Sequence, residues 1–296
     1  RDHLKIFINH VLNGNELNWY IDRPGGHGID LEIDNNPKTI HTWFSGIAGY
    51  LAASKEYWSE QKQPERHFDF WKNKSTRIVN FIGFDCSYSH AIVYPSLLSN
   101  LDEYTNNFTP LTNKFLKLEG GDFSTSRNHA IWVDDILKDY SADGVRFHLA
   151  LISPEEEIKN FEMVKFSHWY SNFFTNGIKN IGSVLVNVSD VSVYIQNLQT
   201  TKDDTLLKFY KKWLYYGELK NFSMNGIASV LQELLRHVSN LLLSKEKNNI
   251  VEASMLYLIL STPIHPKLSN ILMEKYGIKD KLEAYQLFSD SKVLSE

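Results

Sequence analysis

A single cysteine, Cys86, stands in the 296 residues. One thiol excludes an internal disulfide framework and any structural zinc knuckle closed within this chain. No apolar run reaches 18 residues, and no charged-then-apolar leader opens the sequence. A cytoplasmic protein with no membrane partner is therefore expected. An excess of positive charge is missing as well: 31 Lys and Arg stand against 35 Asp and Glu, a net charge of −4. Nucleic acid is then not held by bulk charge, and only a local basic face remains open to it. Eleven histidines are present, but none forms an HxxH or HExxH pair, so core or surface roles are expected and no metal ligand is assigned.

What is present is apolar: 43% hydrophobic residues suffice for one large or two ordinary domains. The chain opens with Arg1-Asp2 inside a helical pattern (Leu4, Ile6, Phe7, Val11, Leu12), where a natural start carries Met, so further sequence ahead of Arg1 is expected. Residues 1–17 read as one short helix, followed by the turn-rich Asp22-Arg23-Pro24-Gly25-Gly26-His27-Gly28. Thr39 to Phe44 has strand composition, and Gly46 to Trp58 has helical spacing. Arg77 to Gly83 is an apolar run closed by glycine, with a helix expected from about Ser87 to Leu101. Phe115 to Leu118 is a third strand candidate. From about residue 158 the pattern turns helical, most clearly at 224–243, where Ile227, Val230, Leu231, Leu234, Leu235, Val238, Leu241 and Leu242 follow one face. Further helices are expected near 160–185, 204–216, 248–261 and 266–290. The expected fold is α/β over 1–152 followed by an all-α bundle over 153–296, with the junction at Ser153-Pro154-Glu155-Glu156-Glu157, whose glutamates read as a solvated helix start.

Chemistry is concentrated at few places. A parallel strand ending in Gly83 lets a ligand approach the backbone, and Asp85, two residues on, is placed to accept hydrogen bonds from ribose hydroxyls. An ordinary strand-end turn is the competing account of the same residues. Trp43 and Tyr50 offer aromatic walls, His90 a polar group among them, and Cys86 follows the strand. Phe123-Ser124-Thr125-Ser126-Arg127 is a polar loop whose serines are also suited to capping a helix over about 130–139.

Four segments, in order and at suitable spacing, resemble class I methionyl-tRNA synthetases: Trp43 to Tyr50, Phe81 to His90, Phe123 to Arg127, and Tyr140 to Phe147. The resemblance covers residues 1–185 and, beyond them, only a helical bundle. It implies part of a Rossmann-like catalytic domain joined to a bundle of the anticodon-binding type. It further implies amino-acid activation by ATP with Mg2+, transfer to tRNA, and an amino-terminal half of the same protein as partner. The residues implied are Gly83 and Asp85 for ATP; Trp19, Trp43, Tyr50, Cys86, Ser89 and His90 for the amino acid, methionine or a relative; and Ser124, Ser126 and Arg127 for catalysis. Asn180 matches an anticodon contact.

The chain also departs from the family. Asp122 and Thr125 occupy the two lysine positions of the family's KMSKS loop, and an Asp there opposes a developing pyrophosphate. The family's HIGH signature has no counterpart, Ser89 and Val93 replace aromatics beside His90, Ile47 replaces a pocket proline, and Val184 replaces an arginine. The smaller residues beside His90 are expected to leave room in the pocket unless Tyr88, Tyr94 or Trp19 refills it. The alternatives are a diverged synthetase for another amino acid or acceptor, and a synthetase-like module without catalysis.

Overall fold

The computed structural model describes residues 1–14, 19–24, 27–33, 35–101, 103–188, 192–199, 203–244 and 249–275. The chain forms two compact units, Arg1–Phe115 with Pro154–Ile158, and Leu116–Ser153 with Lys159–Glu296. The compact units are therefore not divided by one cut at 152/153. Residues 159–161 run parallel to 116–118 as a strand pair, which places the chain on both sides of 154–158 in the second unit.

The first unit opens with α1 (Asp2–Asn13), shorter than expected; residues 15–17 lie outside the described residues. A three-stranded antiparallel sheet follows, ordered β1 (Asp22–Pro24), β3 (Asn36–Ile40), β2 (Asp30–Ile33). The strand expected over Thr39–Phe44 ends at Ile40. His41 caps the next helix, its Nδ1 accepting from the Trp43 N–H at 3.3 Å, so Trp43 and Phe44 belong to α2 (Thr42–Glu60). After α3 (Arg66–Trp71) comes β4 (Ile78–Gly83), paired in parallel with β5 (Phe108–Asn113). The β5 strand was not expected, because Pro110 and two threonines give Phe-Thr-Pro-Leu-Thr-Asn the composition of a loop. The acidic run at 155–157 starts no helix, and of its three glutamates Glu156 and Glu157 are exposed as expected while Glu155 is buried. Glu155 is buried against Arg1 at 3.1 Å, and Glu156 meets His3 at 3.1 Å, since a carboxylate out of water needs a charged or hydrogen-bonding neighbour.

Between β4 and β5 the single helix expected over 87–101 is replaced by three pieces: a 3-10 turn (Phe84–Cys86), a π turn (Ser89–Val93) and α4 (Tyr94–Ser99). Pro95 is the cause. It has no N–H for the carbonyl one turn back and its ring crowds that carbonyl, so the turn widens and the Tyr94 N–H reaches Ser89 O, five residues back. Tyr94 and Leu98 thereby join Ile47, Trp71 and Ile78 in the core of this unit.

In the second unit β6 (Leu116–Leu118) lies between β7 (Gly121–Asp122) and β8 (Lys159–Phe161). Helices α5 (Val133–Asp139) and α6 (Ala142–Leu151) precede β8; α7 (Met163–Trp169) runs through a second π turn at Tyr170–Phe174 into α8 (Thr175–Leu185). Then come α9 (Ser192–Gln199), α10 (Asp204–Gly217), α11 (Met224–Leu243), α12 (Ile250–Ser261) and α13 (Pro266–Lys275). The expected apolar face of α11 is buried from Ile227 to Val238, and α12 is buried on every side from Ala253 to Ser261. The last expected helix, 266–290, is described only to Lys275. No strand occurs among the described residues of 205–290, as the helical spacing required. No helix among the described residues is long and apolar enough to cross a membrane.

Two residues of α6 clamp the turn between α12 and α13. Asp143 Oδ2 accepts from the Leu268 N–H at 2.7 Å, meeting an orphan donor in the first turn of α13. Arg146 donates from Nε to Ile264 O and from Nη2 to Pro263 O, each at 3.1 Å. Beside them His148 and His265 are buried, and burial lowers their pKa values to about 4 and about 3 from 6.5. Each is neutral in the fold and takes up a proton on unfolding below about pH 6.5, so the unfolded state gains as pH falls. Each contributes a slope of up to about 1.4 kcal/mol per pH unit between the unfolded and folded values. Denaturant midpoints measured from pH 7 down to pH 5 are expected to fall steadily, and to fall less in His148→Leu. An equal acid sensitivity in that variant would remove His148 from the account.

Candidate functional site

The carboxyl end of β4 presents Gly83 in an extended conformation (φ −68°, ψ 153°) followed directly by the 3-10 turn that carries Asp85. A Cβ at 83 would meet the tip of the Asp85 carboxylate, so glycine lets the aspartate fold back over the strand end while a larger residue would turn that side chain away. Asp85 and Gly83 are both exposed. Cys86 is half-buried, and burial, with the nearby Asp85 charge as a second cause, pushes its thiol pKa up. It is therefore a neutral wall group rather than a nucleophile.

Tyr50, from α2, and His90, from the π turn, meet at 2.9 Å between the tyrosine hydroxyl and Nε2. The other ring nitrogen, Nδ1, lies 2.9 Å from Ser89 Oγ and 3.2 Å from Cys86 O. Ser89 Oγ itself donates to Cys86 O at 3.0 Å, which leaves it to accept from His90. Nδ1 then carries the proton, Nε2 accepts, and the Tyr50 hydroxyl is the donor. Ser89 thus holds the histidine ring rather than merely leaving space. The structure brings Tyr50, Cys86, Ser89 and His90 together. Trp43 is placed one face along the same helix but 55% exposed, and Trp19 packs against His41, Phe44 and Tyr88 at ring distances of 6.1–6.2 Å. The space expected from Ser89 and Val93 is refilled by Tyr94, which is 1% exposed and stacked on Tyr50 at 5.4 Å.

The loop after β7 is a closed hairpin in the second unit. Ser124 and His129 exchange both backbone hydrogen bonds at 2.9 Å, and Asn128 takes the left-handed conformation (φ 54°) that asparagine tolerates. Ser124 Oγ and Ser126 Oγ are 3.2 Å apart, and Ser124 Oγ accepts from the Arg127 N–H at 3.3 Å. The serines therefore shape the turn. They do not cap the following helix, since α5 begins at Val133 behind Trp132 with no side-chain cap. Asp122 lies 4.0 Å from Lys117, both side chains in contact with solvent. Arg127 is exposed at the tip. His129 Nε2 donates to Leu118 O at 2.8 Å, pinning the hairpin to β6.

Asn180, half-buried on α8, donates from Nδ2 to Ser239 Oγ at 3.1 Å, so its amide serves the packing of α8 on α11. Lys212 of α10 pairs with Glu233 at 3.1 Å while Leu206 and Tyr210 enter the core, the amphipathic arrangement that the spacing allowed. Sequence reasoning missed two contributors, the Lys117–Asp122 pair and the Asp143–Arg146 clamp, and of the three aromatics it offered to refill the pocket it did not single out Tyr94. The Tyr-Pro dipeptide at 94–95 was the available signal for that choice, because proline inside a helical pattern marks a local change of register.

A parallel α/β corner, a histidine-centred aromatic cluster and a short hairpin are what the two units offer. Residues 1–184 match the family model of class I tRNA synthetases (M), and the chain belongs to that family. It is 41% identical over 163 residues to the methionine–tRNA ligase of Thermomicrobium roseum, covering 54% of this chain and 28% of that protein. The Pyrococcus horikoshii methionine–tRNA ligase is 32% identical over 176 residues, covering 56% of this chain and 24% of the relative. In fold the chain is similar to Mycobacterium tuberculosis methionyl-tRNA synthetase bound by methionyl-adenylate, with TM-score 0.70 and 12% identity over 98% of this chain and 60% of that one. The chain therefore spans about a quarter of the length of these curated relatives.

His129→Ala removes the side-chain bond that pins the hairpin, a loss of about 1 kcal/mol. Hydrogen exchange at the Ser124 and His129 amides should then quicken roughly fivefold, that being the opening population such an energy controls. Unchanged exchange would mean that the backbone bridge holds the loop alone.

Proposed function

We propose that this chain is the carboxyl-terminal part of a synthetase that activates an amino acid, methionine or a relative, with ATP and transfers it to tRNA. The observation that carries the reading is the Gly83–Asp85 corner at the end of a parallel strand, in the same unit as a His90 whose ring is held in one tautomer by Tyr50, Ser89 and Cys86 O. Ligands of open α/β sheets sit at such strand ends. Asp85 accepts from the ribose hydroxyls of ATP, and Gly83 allows the adenosine to approach the backbone. Tyr50, Cys86, Ser89 and His90, with Trp19 and Trp43, form the amino-acid side. The amino acid's carboxylate is its own nucleophile, so the protein's part is positioning and charge stabilisation. On this reading Mg2+ accompanies ATP, since the ion is bound largely through substrate phosphates in such sites.

Ser124, Ser126 and Arg127 are the loop's contribution, with Arg127 as its exposed cation. The amino-terminal half of the same protein is the first partner on this reading, and tRNA the second. Asn180 is a weak candidate for the tRNA contact because its amide is committed to Ser239. A second reading, a synthetase-like module that has lost activation, is favoured by the Lys117–Asp122 pair, which removes positive charge where the family places it.

With the full-length protein, Asp85→Ala is expected to weaken ATP binding by roughly 1.5–3 kcal/mol per lost charged hydrogen bond. Gly83→Ala should act through the same carboxylate, so the two losses should not add. Unchanged ATP affinity in Asp85→Ala removes that residue from the site. Replacing Asp122 and Thr125 together by lysine should raise the rate of amino-acid-dependent pyrophosphate exchange; no exchange in either form, with any amino acid, would favour the non-catalytic module.

A further inference from the structure

The second unit carries a groove of about 530 Å3 between α8 and α13, with the end of α5 on its rim. Its walls are apolar: Ile178 from α8, Leu268 and Ile271 from α13, and Leu137 from α5. Leu137 is 40% and Ile271 54% exposed, so the groove is open to solvent rather than enclosed. The polar groups on its floor are satisfied within the fold. Ser141 Oγ accepts from the Gly144 N–H, Tyr170 donates to the same oxygen, and Asp143 accepts from the Leu268 N–H. The groove therefore suits apolar side chains better than a small polar ligand. Charge stands at the rim, where Lys179 and Lys267 are exposed and have no ion pair among the described residues. Lys138, Lys165 and Lys212 of the same unit each have an acidic partner. Directly beside the groove, α5 shows the complementary surface. Val133 and Leu137, four residues apart, form an apolar ridge 67% and 40% exposed, with Trp132 at 52% ahead of it. Asp134 flanks the ridge, exposed and without an ion pair among the described residues, whereas Asp135 is taken by Lys138. An acidic, apolar helix and a basic, apolar groove thus share one face of the unit. Exposed apolar patches with a polar rim mark interaction surfaces.

We propose that this face is a two-fold interface between copies of this chain, with α5 of each copy lying in the groove of the other. Val133 then packs against Ile178 and Ile271, and Asp134 meets Lys179 and Lys267. Leu137 belongs to ridge and groove alike, which places it nearest the axis. A two-fold contact must be complementary to itself, so both halves of it have to lie on one patch, as they do here. A basic groove with no acidic ridge beside it would have pointed to a foreign partner instead. Burial of the apolar ridge supplies the affinity, because an exposed ion pair contributes at most about 1 kcal/mol. The charges choose the register and oppose the one that brings like charges together. None of these residues belongs to the site proposed above, so the interface stands apart from amino-acid activation.

Sedimentation velocity of the full-length protein across the micromolar range should show a reversible dimer. Val133→Asp and Ile271→Asp should each raise its dissociation constant at least about tenfold, the loss expected of an apolar anchor in an interface. Charge reversal gives the sharper reading. Asp134→Lys should weaken the dimer, and so should Lys179→Glu combined with Lys267→Glu, whereas all three changes together should restore it. Melting, measured at a concentration where the wild type is monomeric, should be unaltered in every variant because the side chains changed are exposed. A protein that stays monomeric at every concentration overturns the proposal. So does a dimer indifferent to Val133→Asp and Ile271→Asp, which joins its copies elsewhere. Failure of the triple variant to recover overturns it too, since something other than α5 then fills the groove. A lower melting temperature in the monomeric variants would place these side chains inside the fold and overturn it as well.

Discussion

Pro95 cannot donate a hydrogen bond, and the aromatic cluster is arranged around that missing N–H. An ordinary helix from residue 87 would have carried Ser89 and Val93 along one stripe. Instead the chain makes a five-residue bond from Tyr94 to Ser89, and α4 starts over at Tyr94. The widened turn has two effects. It buries Tyr94 beside Tyr50 and Phe108, and it presents His90 with Ser89 and the Cys86 carbonyl on one side and Tyr50 on the other. Both ring nitrogens are then committed, which sets a single tautomer without any acidic partner. The proline thus acts on the preceding turn through its missing N–H and the bulk of its ring.

Charge is arranged differently from shape. The hairpin 121–129 keeps a compact hydrogen-bonded form, with the two serines and the His129–Leu118 bond holding its turn. Its charge is mixed, because the exposed Asp122 lies 4.0 Å from Lys117. Arg127 remains exposed at the tip, a rigid planar cation rather than a mobile point charge. In the same unit, Asp143 and Arg146 work three residues apart on one helix, one on an N–H of α13 and the other on carbonyls just past α12.

Much of the architecture could be read before any coordinates. The apolar stripe of α11 predicts its buried face from Ile227 to Val238, though Leu241 and Leu242 are only half-buried, the run closed by Gly83 predicts β4, and the composition shift near 158 predicts a helical second half. These succeed because periodicity and glycine placement are local properties of the chain. The errors are equally physical. Thr39 to Phe44 has strand composition, but His41 caps a helix, and a cap depends on one side-chain nitrogen meeting one N–H. The β5 strand was hidden by Pro110, because its apolar residues are few and its pairing partner lies some thirty positions away. Glu155 reads as surface until Arg1, 154 residues away in sequence, is placed beside it.

The sequence by itself determined the family, the strand ending in Gly83 and Asp85, the aromatic and histidine content of the cluster, and the loss of lysine from the loop, since each is a matter of residue type at a given spacing. Only the tertiary structure decided that Ser89 orients His90, that Tyr94 refills the space left by small neighbours, that Lys117 lies beside Asp122, and that Asn180 turns to Ser239. Those outcomes depend on hydrogen-bond partners and on packing. Partners are chosen in three dimensions by distance and direction, and no one-dimensional pattern encodes which donor will find which acceptor.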